Sequence, residues 1–231
     1  MSTGKLLFSC VLGALFVGCI TSPASEYGAT PLAKKEHLNS CPDGLIDDLE
    51  DNDSQIVKKE GREGYWFTFT DTYGSTITPR GDFKPDPGGP EGSKYAAHMH
   101  GKISTAGQYP YVGMGFSFLN PKGNYDASKY KGISFWAKGN GKVRLEVLDA
   151  NTQPEGDRCT ACYNNFGVEL YLSDQWTRYT VPFDRLAQQP GWGDQTGAVS
   201  VKELFGIQWQ FRTAGAEYDI WFDNIEFVGC Q

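Results

Sequence analysis

Between residues 132 and 227 the apolar positions recur at every second residue. Ile133, Phe135 and Ala137 alternate with Ser134, Trp136 and Lys138; Val143, Leu145 and Val147 with Arg144 and Glu146; Ile207, Trp209 and Phe211 with Gln208, Gln210 and Arg212. A period of two puts successive side chains on opposite faces of an extended strand. Each segment therefore has one face for a core and one for water. The second set is unusual. In place of Lys and Thr it holds Trp, Arg, Glu and Gln, groups that stack on and hydrogen-bond to polyhydroxylated ligands.

The same pattern, less regular, covers the rest of the chain. Strands are predicted over 44–50, 65–70, 95–103, 112–119, 132–137, 142–149, 166–172, 177–182, 205–212 and 218–227, with a Pro- and Gly-rich loop over 81–94. No long helix is predicted; 201–204 reads as a single helical turn. There is no internal repeat. The 28 Gly, 12 Pro and 14% aromatics among 231 residues suit a turn-rich antiparallel fold. An all-β, two-sheet antiparallel sandwich of the jelly-roll type follows.

Parity nominates a functional face. If Val143, Leu145 and Val147 point inward, Arg144 and Glu146 point outward, and the same rule turns out Gln208, Gln210 and Arg212. Over 112–119 the outward set is Gly113, Gly115 and Ser117, small residues that would hollow the face and leave room for a ligand. Glu169 and Tyr171 share a parity. Trp192 lies in a Gly/Pro loop, as do Tyr109, Tyr111 and Tyr163. Arg144, Glu146, Tyr171, Trp192, Gln208, Gln210 and Arg212 form the candidate carbohydrate-binding set; the competing reading is a solvated face with cross-strand charge pairs. Trp66, Trp136, Trp176 and Trp221 are assigned to packing. His98 and His100 share a strand face, a weak metal signal.

Catalytic patterns are missing. The chain has no Gly-x-Ser-x-Gly, no His-Glu-x-x-His, no phosphate loop and no Glu-x-Asp-x-x-Glu run, and Glu146 and Asp149 differ in parity. A non-catalytic protein is expected, with a glycoside hydrolase or lyase as the outlying alternative. The net charge of −7 and the lack of a basic cluster argue against nucleic acid as a partner.

The N-terminus reads as an export signal. Lys5 precedes an apolar run over 6–18 that is too short to span a membrane. Leu15-Phe16-Val17-Gly18-Cys19 resembles the lipobox of bacterial lipoproteins, which implies a signal peptide over 1–19 and lipidation of Cys19. Ile20, in place of Asp, implies anchoring at the outer membrane or cell surface. The alternative is plain cleavage near Ala24 and a secreted or periplasmic product. Residues 20–40 read as a flexible tether and 41–231 as the domain. Four of the 6 Cys fall in that domain, an even number that favours disulfides outside the cytoplasm. Of the three possible pairings, Cys41–Cys230 with Cys159–Cys162 would staple the domain's ends and close a local ring. A redox CxxC lacks its thioredoxin-like setting, and a zinc site lacks a second CxxC.

Several segments carry a family likeness. Leu45-Ile46-Asp47-Asp48-Leu49-Glu50-Asp51 resembles the opening strand of galactose-binding-like jelly rolls. Gly132-Ile133-Ser134-Phe135-Trp136-Ala137-Lys138-Gly139 resembles a central strand, Gln175-Trp176-Thr177-Arg178-Tyr179 a strand after a surface turn, and Ile220-Trp221-Phe222-Asp223-Asn224-Ile225-Glu226-Phe227 the terminal one. Together they are similar to carbohydrate-binding modules, nearest to family 11 and its relatives. The resemblance implies non-catalytic binding of a polysaccharide or surface glycan, with membrane contact through the lipid anchor only. It also implies a structural Ca²⁺, with Glu50 and Asp223 at the family positions and Asp48, Asp51 and Asp71 nearby; the plainer reading makes these acids a solvated turn. The rival function is a structural or protein-interaction lipoprotein of the cell envelope. Globomycin tests the anchor: a larger precursor is expected to accumulate, and none would sink the lipoprotein reading.

Overall fold

The computed structural model describes residues 38–90 and 92–230; the export segment, Cys19 and most of the tether lie outside the described residues. Among the described residues, twelve strands form two antiparallel sheets. The first holds β10 (Thr177–Pro182), β7 (Gly132–Gly139), β12 (Glu217–Val228), β5 (Tyr95–Lys102) and β3 (Thr76–Thr78) in that order, with β1 (Ser40–Asp47) also on β12 and β4 (Asp86–Pro87) also on β5. The second holds β2 (Trp66–Thr70), β6 (Val112–Ser117), β11 (Leu204–Phe211), β8 (Lys142–Asp149) and β9 (Phe166–Tyr171).

The core lies where the inward residues of the two sheets meet. Trp209 of β11 is fully buried, with the rings of Phe222 at 4.3 Å, Phe135 at 5.1 Å, Trp66 at 6.1 Å and Phe116 at 6.2 Å. Burying a cluster of such rings is the main driving force for closing the sandwich.

β12 organises the first sheet. β7 runs along one of its edges; β5 lines the first part of the other edge and β1 the last part. A bulge interrupts its ladder to β7 between Asp223 and Glu226, where Asn224 takes a φ of 49°. One extra residue re-phases the alternation. Ile220 and Phe222 face the core before it, Ile225 and Phe227 after it, and Asp223 is left buried at the switch. Cys41 and Cys230 are joined, with Cα atoms 5.8 Å apart, so a disulfide staples β1 to the residues just after β12. Loop-entropy arguments credit so long a closure with about 5 kcal/mol.

Strand limits differ from the sequence reading in three places. β1 ends at Asp47 because a run of acids turns the chain: the carboxylates of Asp47, Asp48 and Asp53 accept from the amides of Leu49, Glu50 and Gln55 at 3.0, 3.3 and 2.6 Å. Such Asx turns compete with the strand ladder. β3 and β4 are absent from the sequence reading, being too short to show a period. Residues 201–204 form a turn that leads into β11 and contain no helical segment.

Arg62 is fully buried, with no carboxylate partner among the described residues. Its guanidinium lies 5.5 Å from both the Tyr125 and Phe227 ring centres and donates to Tyr125 Oη at 2.6 Å and to the carbonyls of Asp43 and Leu45 at 3.0 and 2.7 Å. It thereby clamps the 57–62 loop to β1.

Asp47 is also buried. Burial pushes its carboxyl up to about 7, against hydrogen bonds donated by Trp66 Nε1 at 2.6 Å and the Leu49 amide. The folded protein thus keeps a proton that the unfolded chain releases near pH 4, so this group's contribution falls as pH rises from about 4 to about 7 and is level above. The melting temperature is expected to fall between pH 5 and pH 8, with a shallower fall in Asp47→Asn. Equal slopes in the two proteins would refute this assignment.

Candidate functional site

The outer face of the second sheet carries the site. Strand registers align its outward residues in rows: Phe67, Gly115, Gln208, Glu146 and Gly167 in one, Phe69, Gly113, Gln210, Arg144 and Glu169 in the next. Above them opens a groove of about 880 Å³. Phe67, Phe69, Tyr109 and Tyr111 wall one side, Gln208 and Gln210 lie in its floor, and Glu146, Asn165, Arg212, Tyr163 and Trp192 close the other.

The glycines of β6 shape this floor by a route the sequence did not disclose. A Cβ on Gly113 would stand 2.2 Å from Cζ of Phe69, and one on Gly115 2.6 Å from Cβ of Gln208. The hollow expected for the ligand is therefore partly taken by the Phe69 ring, which lies across the sheet as an apolar platform. Gly167 does the same for Arg144, whose Cζ is 3.0 Å from where its Cβ would be.

Arg144 and Glu146 are outward by parity, yet they are buried, at 6% and 5% exposure. The segments around Asn165 and Ala187 cover them. Arg144 Nη2 donates to the carbonyls of Asn165 at 3.3 Å and Ala187 at 2.6 Å, and its Nε stands 3.4 Å from Glu146 Oε1. Arg144 is thus under the groove and does not line it, contrary to the expectation of a direct sugar contact. Glu146 does line it. Its Oε2 accepts from Gln208 Nε2 at 2.7 Å and Asn165 Nδ2 at 3.0 Å. Burial raises its carboxyl above the ordinary range, opposed by those two amides and by the Arg144 charge.

Of the other candidates, Gln208, Gln210, Arg212 and Trp192 line the groove and Tyr171 does not. Tyr171 shares the face but lies opposite Lys142 at the far end of β9, 74% exposed. Arg212 donates to Glu169 Oε1 at 3.1 Å and Gln189 Oε1 at 3.2 Å. The half-buried Gln210 side chain has no hydrogen-bond partner among the described residues.

Phe67 and Phe69 escape sequence reasoning. β2 carries aromatic residues at both parities, Trp66 inward and these two outward, so alternation cannot choose between the faces. Gln153, Asn165, Gln189 and Lys122 sit outside the strands, where no period exists to place them.

Loops bring in the remaining walls, and buried polar groups hold the loops. The Asp71 carboxylate accepts from the amides of Tyr73 and Tyr111, both at 2.8 Å, and from Ser75 Oγ at 2.6 Å. A candidate for the calcium corner by sequence, it instead fixes the loop of Tyr109 and Tyr111. Asn164 Nδ2 donates to the carbonyls of Gln189 and Trp192 at 2.9 and 2.8 Å, and its Oδ1 accepts from the Gln189 amide at 2.9 Å. The Cys159–Cys162 disulfide closes a small ring just before Tyr163.

The outer face of the first sheet is occupied by its own side chains. His98 stacks on Trp221 at 3.7 Å and lies between Asp86 at 2.7 Å and Asp219 at 3.2 Å, while Lys138 Nζ is 4.8 Å from the Trp221 ring centre and 5.1 Å from that of Trp176. Trp176 and Trp221 therefore pack on the surface of the sheet, whereas Trp66 packs in the core.

At the calcium corner, Glu50 Oε1 accepts from Ser93 Oγ and from the amides of Lys94 and Tyr95 at 3.0, 2.8 and 3.1 Å. Asp48 Oδ1 accepts from the Glu50 amide. Asp223 Oδ1 accepts from the Asn224 amide at 2.6 Å, but its buried Oδ2 has no hydrogen-bond partner among the described residues. Burial, with the charges of Glu50 and Asp48, pushes the Asp223 carboxyl up to about 6. Among the described residues, no group of three or more His, Cys, Asp or Glu stands ready to hold a metal.

The chain's backbone matches solved structures closely enough to assign its fold. The family 11 carbohydrate-binding module of the cellulosomal cellulase Lic26A-Cel5E of Clostridium thermocellum superposes with a TM-score of 0.57 over 84% of this chain and 96% of that one, at 16% identity. This chain has the jelly-roll fold of those modules. A family 11 module from the same organism in complex with a β-1,3-1,4-mixed-linked tetrasaccharide gives 0.56, at 16% identity, over 78% and 96%. The family 30 module of its cellulosomal cellulase Cel9D-Cel44B gives 0.53, at 8% identity, over 80% and 95%. No protein-family model matches the sequence, and no curated protein matches it.

Proposed function

We propose that the domain holds a polysaccharide or surface glycan non-covalently in this groove, as an exported protein anchored through Cys19. The observation that carries the reading is the groove's make-up. Gln210, with no hydrogen-bond partner among the described residues, lies between an aromatic wall of Phe67, Phe69, Tyr109 and Tyr111 and a second one of Tyr163 and Trp192. A pyranose has apolar faces that stack on rings and a rim of hydroxyls that need partners, and this groove offers both. The family 11 module solved with a tetrasaccharide supports the same use of the fold. Binding without chemistry fits the carboxylates: Glu146 is enclosed by Arg144, Asn165 and Gln208, and Glu169 is paired with Arg212.

For the corner of Glu50, Asp223 and Asp48 we propose a structural Ca²⁺, supported by the unpartnered buried Oδ2 of Asp223 and by the mutual repulsion of these acids. Their carboxylates would supply hard oxygens, and the ion would tie the residues after β1 to the bulge of β12.

Retardation in affinity gels of β-glucan, xylan and mannan is expected for at least one polymer. Phe69→Ala combined with Gln210→Ala should weaken it roughly ten- to hundredfold, the loss of one stacked ring and one hydrogen bond. Retention by none, or an unchanged double variant, would sink the binding reading in favour of a protein-interaction role. For the ion, a chelator should lower the melting temperature and added Ca²⁺ restore it; insensitivity to both would rule it out.

A further inference from the structure

We propose that Glu146 is a positioning residue: from the groove wall beside Gln208 it fixes which atom of that side chain faces the ligand, making that point of the floor an acceptor for a sugar hydroxyl. The inference rests on the carbohydrate reading above and goes beyond it by assigning a polarity to one contact.

Donors and acceptors decide the orientation of these amides. An ionised carboxylate only accepts, so an amide beside it must present nitrogen. Glu146 Oε2 receives Gln208 Nε2 at 2.7 Å and Asn165 Nδ2 at 3.0 Å. Gln208 Oε1 is the atom left over, and it has no partner among the described residues. The order continues sideways. Asn165 Oδ1 receives Gln153 Nε2 at 2.7 Å, and Gln153 Oε1 receives Lys122 Nζ at 3.0 Å. An ammonium only donates. The series Lys122, Gln153, Asn165, Glu146 is therefore anchored at one end by a cation and at the other by an anion. No amide in it can turn over without setting donor against donor.

The middle of the series is nearly closed to solvent, which makes a reversed amide there costly. Glu146, Gln153 and Asn165 are each at most 5% exposed. The charges acting on Glu146 are Arg144 on its own strand and Arg212 just after β11; Glu169 of β9 contacts those two arginines, Lys122 from the loop after β6 is joined to Glu146 through Gln153 and Asn165, and β6 itself presents Gly115. Protonation would turn the Glu146 carboxyl into a donor. Gln208 could then offer Oε1 downward and nitrogen to the groove, reversing the contact. The burial that raises this carboxyl's pKa places that reversal at a higher pH than an exposed glutamate would allow.

Side-chain amide NMR signals of Gln208 and Asn165 are expected to move together in one step as the pH falls, while the backbone spectrum stays folded. Glu146→Gln should abolish the step. Signals that do not move in the wild type, or a step that survives Glu146→Gln, would overturn the proposal; the wild-type titration decides even if the variant fails to fold. In affinity gels of β-glucan, xylan and mannan, Glu146→Gln and Gln208→Met should each weaken retention roughly tenfold, and the double variant no more than either alone. Additive losses would contradict the coupling. Wild-type retention by none of the polymers would fail the carbohydrate reading, and the amide titration would still decide whether Glu146 orients Gln208.

Discussion

The pleat of β11 is the constraint from which the rest follows. Ile207, Trp209 and Phe211 are buried between the sheets, and Trp209 touches rings from both. Because side chains alternate, anchoring these three sets the height and direction of Gln208, Gln210 and Arg212 on the opposite face. A one-residue slip would put Gln210 in the core and Trp209 in the groove. The groove face is thus held in register by the hydrophobic core itself.

On that floor lies a buried polar layer, which is costly unless every member is satisfied. Glu146 is met by Arg144, Gln208 and Asn165, and Arg144 Nη2 by two carbonyls as well, while the buried Arg144 Nε makes no hydrogen bond among the described residues. The expense is offset by order: amides pinned by ions have one orientation each, and the loops that cover Arg144 are the ones that bring Tyr163 and Trp192 to the rim. Two features outside the strands complete the walls. Asp71 gathers the turn before Tyr111, and Asn164 ties the Trp192 loop to the end of β9. The groove thus depends on one strand pleat and on two buried side chains that act as backbone surrogates.

Much of this is legible in the chain alone. Nine of the ten predicted strands lie close to their predicted positions, and β1 lies a few residues earlier than predicted, since a run of alternation with one buried face leaves a strong trace. The pairing of Cys41 with Cys230 is the one, of three possible, that their places at the domain's ends favour. Gln208, Gln210, Arg212 and Trp192 fall, as expected, along the strands and loops that form the groove. Parity misplaces Arg144 because it reports the face of a sheet and says nothing of what lies above it. It misplaces Tyr171 because sharing a face does not mean sharing a site: this residue stands one register step beyond Arg144 and Glu169. Phe67 and Phe69 stay hidden because aromatic residues on both faces of β2 cancel the signal.

By itself the sequence determined what is periodic and local: the strands, their inward faces and the sandwich class. Hydrophobic alternation is written residue by residue and needs no partner to be read. Only the tertiary structure decided which outward residues meet. The coverage of Arg144 and Glu146, the Phe69 ring lying over Gly113, the bulge that buries Asp223 and the amide series from Lys122 to Glu146 all join residues far apart in the chain. Their contacts depend on register across five strands and on loops held by single carboxylates and amides. Such long-range matches have no period, and no local propensity encodes them.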